Sequence, residues 1–115
     1  MSMKMPTQPA DGNVIFNDVT MGYLVKDVAG STDIILSDAE AQNAMHEYTG
    51  GLAANIIVAV PAETKAYWIF NNTSGAFTLS ISPVGFPGNS VTITQGTKVL
   101  IGCDGSNCYA WTAEI

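Results

Sequence analysis

The sequence predicts an all-β domain: a compact antiparallel β-sandwich, jelly-roll-like fold or small barrel, with one short helix and an extended N-terminal arm. Three observations lead there. Short runs rich in Val, Ile, Thr and aromatic residues recur at about 8–12-residue spacing. Clusters of Gly, Pro, Asn and Asp separate them. Strands do not alternate with helical patterns, which argues against a parallel α/β fold. The chain has 115 residues, the length of one domain. We divide it into an arm over 1–12 and a single β domain over 13–115.

The elements follow in order. Met1 to Gly12 holds two Pro and three Met without periodicity and reads as an extended arm. Asn13 to Ala29 gives two β-like pieces, and Thr32 to Leu36 a strand. Ser37-Asp38-Ala39-Glu40 has the capping-box spacing, with Ser37 at the N-cap and Glu40 three residues on. The helix it opens is expected to end near Met45. His46 to Thr49 returns to strand, and Gly50-Gly51 reads as a turn. Leu52 to Val60 is a strand stopped by Pro61, and Lys65 to Phe70 an aromatic strand. Asn71-Asn72-Thr73-Ser74-Gly75 reads as a hairpin loop. Phe77 to Ile81 alternates apolar and hydroxyl residues, so the hydroxyls are expected to face outward. Pro83 to Asn89 is a loop, Val91 to Ile93 a strand, Gln95-Gly96 a turn and Lys98 to Cys103 a strand. Asp104-Gly105-Ser106-Asn107 is a tight turn into a last strand, Cys108 to Thr112.

Composition excludes several function classes. Ten acids face four Lys and no Arg, for a net charge of −6. Phosphate and base contacts lean on Lys and Arg, so a nucleic-acid partner is not expected. The same balance disfavours an anionic membrane surface. The longest apolar run is about six residues, Ile56 to Pro61, far short of a transmembrane helix. The first residues lack the apolar core of a signal peptide, so synthesis in a cytosol is expected. Charged residues are only 12% of the chain, against ~25% in a typical domain. Its surface is therefore expected to be Thr, Ser, Asn, Gly and Ala, much of it open to a partner.

Few residues carry chemistry. His46, beside Glu47, is the one candidate general base, and it lacks an evident nucleophile. The plainer expectation is a partly exposed strand or helix-end residue. Cys103 and Cys108 flank the Asp-Gly turn. They read as two reduced small hydrophobes in a cytosol, or as a disulfide closed after release; a zinc site lacks ligands. The acids Asp33 and Asp38, or Glu40 and Glu47, have no element that would gather them in a cleft. No enzyme activity, metal or cofactor is expected. Along Tyr67 to Phe70, Trp68 and Phe70 share one face and Tyr67 and Ile69 the other. One face is core. The other is a carbohydrate or protein platform, or is covered by the second sheet, with core or inter-subunit packing the plainer expectation. A receptor-binding platform would use Trp111, Tyr109 and Asn107.

Taken together, Asp33-Ile-Ile-Leu-Ser-Asp-Ala-Glu-Ala, Tyr48-Thr-Gly, Val58-Ala-Val-Pro61, Tyr67 through Leu79, Gln95-Gly96 and Asp104 through Asn107 form an ordered pattern over about 80 residues. In that order the chain resembles a small β module of tailed-bacteriophage virion structural proteins. The resemblance implies a structural role in the virion and no enzyme activity. A module this short with an arm suits a capsid decoration (cement) protein on the outer head surface. The expected partners are the major capsid protein and other copies of the chain, as a homotrimer. Met1, Met3, Lys4, Met5, Pro6 and Pro9 of the arm are the candidate contacts. Synthesis in the bacterial host cytoplasm and residence on the capsid surface go with that reading. The alternative is a tail fibre, spike or tail-adaptor component that binds a host receptor or carbohydrate.

Overall fold

In the computed structural model, which describes residues 22–115, nine strands and one helical turn build two sheets. The elements are β1 (Tyr23–Asp27), β2 (Ile34–Ile35), α1 (Asp38–Ala41), β3 (Met45–Gly51), β4 (Ile56–Val60), β5 (Thr64–Ser74), β6 (Leu79–Pro83), β7 (Val91–Ile93), β8 (Lys98–Asp104) and β9 (Cys108–Ala110). One sheet runs β1-β3-β5-β8-β9, the other β2-β4-β6-β7.

Up to β6 the chain winds. Each strand passes to the opposite sheet, and the next lies parallel to its predecessor in the first. Tyr23 pairs with Met45 and Met45 with Trp68 in one sheet; Ile34 pairs with Val58 and Ile56 with Leu79 in the other. One coil therefore takes 22–24 residues. After β6 the chain reverses: β7 runs antiparallel to β6, β8 to β5 and β9 to β8. The two sheets share one core. Tyr48, Tyr67, Ile69, Val99 and Ile101 from the larger sheet meet Ile56, Val58, Leu79, Ile81 and Ile93 from the smaller.

The expected antiparallel arrangement thus holds only for the C-terminal strands, and neither sheet closes into a barrel. Parallel strands need a long crossover, for which a helix is the usual vehicle. Here a strand of the second sheet serves instead, so the absence of helical patterns did not exclude parallel pairing. Three local expectations change with it. Gly50 and Gly51 end β3 instead of turning; Gly50 takes φ +109°, where a Cβ would press on the backbone of Ala29 at 2.8 Å. Asn71 through Ser74 belong to β5 and lead across to β6, so they form no hairpin. Ser80 and Ser82 are buried, and the Ser80 hydroxyl hydrogen-bonds that of Thr92 at 2.7 Å.

Local signals that need only a few residues agree with the structure. The Ser37 hydroxyl accepts from the Glu40 N–H, and the Glu40 carboxylate accepts from the Ser37 N–H. The helix is one turn and stops well before Met45, because Asn43 bonds back to the Glu40 carbonyl with both its N–H and its side-chain amide.

Candidate interaction surface

The β5 alternation places Tyr67, Ile69, Asn71 and Thr73 inward and Trp68, Phe70 and Asn72 outward. Register then aligns outward side chains in rows across the larger sheet. Tyr23, Met45, Trp68 and Leu100 are successive partners on β1, β3, β5 and β8. Trp111 continues the row, its N–H bonding the Leu100 carbonyl at 2.8 Å. Five apolar side chains therefore cross the whole sheet on its outer face. Tyr23 is 54% exposed, Trp68 39%, Tyr109 50% and Trp111 68%.

A second row holds Val25, Glu47, Phe70 and Lys98. The Lys98 ammonium stands 4.1 Å from the Phe70 ring centroid, a cation–π contact. Glu47 accepts from the Tyr23 hydroxyl at 2.8 Å and from the Asn72 amide at 3.0 Å. These bonds hold its carboxyl below the usual range, the Asn72 contact most strongly. At the β9 end, Ala66, Gly102 and Tyr109 form a third row. The Trp111 indole lies across Gly102, where any Cβ would collide with the ring. Between them opens a groove of about 590 Å³, walled by Ala66, Leu100, Gly102, Cys103, Tyr109 and Trp111. A smaller hollow of about 250 Å³ beside Tyr23, Met45, Trp68 and Phe70 extends the apolar face toward β1.

Cys103 and Cys108 are register partners across the β8–β9 hairpin and are joined as a disulfide, with 4.2 Å between their Cα atoms. That distance belongs to the closely spaced, non-hydrogen-bonded kind of antiparallel pair. The bond clips β9, and with it Tyr109 and Trp111, to the sheet. Asn107 sits in the turn, where its N–H and that of Ser106 bond the Asp104 carboxylate. These bonds draw the Asp104 carboxyl below its usual range, the Ser106 contact first.

His46 is buried, not partly exposed. Its Nε2 donates to the Asn43 carbonyl at 2.8 Å, which leaves Nδ1 to accept from the Tyr48 hydroxyl at 2.7 Å. Burial holds the imidazole below its ordinary pKa, so it is neutral. Both nitrogens are thus committed inside the core, beside Tyr67, whose hydroxyl burial pushes up to about 12. The acids paired in the sequence disperse. Asp33 accepts from the Ile57 N–H, Glu40 caps α1 and meets Lys26 at 2.7 Å, and Glu47 lies on the outer face. Among the described residues, no group of three or more His, Cys, Asp or Glu gathers to hold a metal, and no helix is long and apolar enough to cross a membrane. Met1, Met3, Lys4, Met5, Pro6 and Pro9 lie outside the described residues.

Sequence reasoning put Trp68 and Phe70 together and singled out Tyr109 and Trp111, but it missed Tyr23, Met45 and Leu100 as members of the same row. Tyr23, Met45 and Trp68 stand 22 and 23 residues apart, a spacing that only their pairing reveals. No protein-family model, curated protein or solved structure matches the chain.

Proposed function

We propose that the protein is a structural component of a tailed-bacteriophage virion, a decoration protein that binds the outer head surface and stabilises it by contacts with the major capsid protein and with copies of itself. In this reading its two sheets work as a sandwich whose larger sheet is the contact face, and residues 1–12 reach along the capsid. The observation that carries it is the apolar row Tyr23–Met45–Trp68–Leu100–Trp111 on an outer sheet face. Exposed contiguous apolar patches of this kind mark interaction sites. The resemblance of its motif order to virion β modules, read from the sequence alone, supplies the setting. His46, with both ring nitrogens bonded internally, is not placed to serve as a general base.

Copy number tests this reading. Purified virions should contain the chain in hundreds of copies, and deletion of residues 1–11 should abolish head binding while the β domain stays folded. A dozen copies or fewer would place the protein in the tail instead. One observation favours that second reading: Tyr109 and Trp111 stand exposed beside a groove, as sugar-stacking residues do. The groove walls are mostly apolar, which suits a protein side chain better than a hydroxyl-rich ring. Binding to a glycan array by the free protein would favour the carbohydrate reading.

A further inference from the structure

We infer that the outer face of the larger sheet pairs with the same face of a second copy, about a two-fold axis that runs along β5. The face is built to complement itself. β5 is the middle strand of five. Rotation about an axis along it sets β1 of one copy against β9 of the other, and β3 against β8. In the central row Tyr23 then meets Trp111, Met45 meets Leu100, and Trp68 meets its own counterpart. In the next row Glu47 meets Lys98, twice over, because an isologous contact repeats each pair. An axis across the strands loses this match: it sets Lys98 over Gly102 and leaves Glu47 without a cation.

Charge and area agree. The chain carries −6, which opposes self-association unless the contact face is spared. Asp33, Asp38, Glu40 and Glu63 sit on elements away from the two rows. Asp27 and Asp104 take outward positions of β1 and β8 in rows beyond the Glu47–Lys98 and Trp68 rows, and Glu114 precedes Ile115, which bonds the Lys98 backbone. At ~150–250 Å² per aromatic side chain, the exposed parts of Tyr23, Trp68, Tyr109 and Trp111 leave about 400 Å² of apolar area open. Val25, 59% exposed, adds to it. A standard interface buries ~800 Å² per partner, somewhat over half of it non-polar. The patch therefore suffices for a stable pair, and two twisted sheets stack face to face in this manner in aligned packings.

This pairing gives the self-contact of the proposed decoration protein a geometry, two-fold where the sequence suggested three-fold. It rests on the assembly reading only for what the pair then serves. Sedimentation equilibrium of the full chain should give the mass of two chains. Lys98→Glu and Glu47→Lys should each weaken pairing by at least about tenfold, since each sets like charges opposite one another at two places. Mixing the two variants should restore pairing, as every cross-contact is then between opposite charges. Trp111→Ser changes a largely exposed side chain and should weaken pairing with the circular dichroism unchanged. A monomer or a trimer at all concentrations, or a dimer indifferent to all three substitutions, would overturn the inference. A monomer that still decorates heads refutes the pairing alone; a dimer absent from heads refutes the head location alone.

Discussion

The coiled half of the molecule and its antiparallel C-terminal half are held by bonds of different reach. In the coiled half, side chains bond one coil away. Asp33 accepts from the Ile57 N–H, Asn55 from the Thr78 N–H, Tyr23 donates to Glu47, and Lys65 donates to the Ala41 carbonyl. Each pair is separated by 23 or 24 residues. The C-terminal half keeps long links too, such as Thr94 to Glu114 and Asn89 to Ser106, but its turns are closed by local bonds. Asp104 closes its turn two and three residues on, the Thr97 hydroxyl reaches the Thr94 carbonyl, and the disulfide spans five residues. The same residue types, Asn, Asp and Thr, do both jobs. What differs is whether the partner is a neighbour in the chain or in the stack.

The sharpest way to break the coiled half is at Asn71. It is fully buried, donates to the Ile93 carbonyl at 2.7 Å, and accepts from both the Thr73 N–H and the Thr73 hydroxyl. Asn71→Ala strands these groups away from water, and we expect a loss of about 3 kcal/mol in urea unfolding. Against it stands the clip of the other half. Cys103→Ser with Cys108→Ser frees a short loop, for which the chain-entropy account gives about 2 kcal/mol. Hydrogen exchange should then quicken in β9 while β3 and β4 stay protected. Equal quickening in all strands would show that the halves unfold as one unit.

The pH dependence sharpens the contrast further, because His46 belongs to the coiled half. Burial depresses its pKa in the folded state, so the unfolded chain binds the proton more readily. Its share of stability is present above the unfolded-state value of ~6.5 and is lost as pH falls below it. Urea midpoints should drop between neutral and mildly acidic pH, and His46→Gln should flatten that drop. The smallest effect is expected at Lys26. Its ion pair with Glu40, 2.7 Å long, is about one quarter exposed on both sides, and Lys26→Met should cost ~0.5 kcal/mol.

This difference in reach also decides what the sequence made legible. The Ser37–Glu40 capping box and the Asp104–Asn107 turn are complete within four residues, and both stand where the sequence placed them. The strands were legible through their β-branched and aromatic runs, and so was the division of Trp68 from Tyr67. Their pairing was not. Positions that stack one coil apart do not share a residue type: Leu24, His46 and Ile69 are partners, as are Lys26, Tyr48 and Asn71. With no repeated motif, the period left no trace. Asn71 through Ser74 carry good turn chemistry, yet they continue β5, with the polar groups of Asn71 and Thr73 bonded inside and Asn72 outside on Glu47. His46 was misplaced for a related reason. Its burial depends on Asn43 and Tyr48 satisfying both ring nitrogens, a fit that spacing alone does not reveal. The outer row suffered the same loss, since Tyr23, Met45 and Leu100 become neighbours of Trp68 only once the coils are stacked.

The coil also sets how such a chain can change length. Each turn of the winding uses 22–24 residues and hands the next one the same two strand edges, one in each sheet. An insertion of one whole period between β4 and β5 would be absorbed as another storey, with its neighbours above and below unchanged. An insertion of an odd number of residues within a strand would instead turn its side chains from one face to the other. Growth by duplication is therefore quantised, and the number of storeys, not the length of any loop, measures how far the outer aromatic row extends.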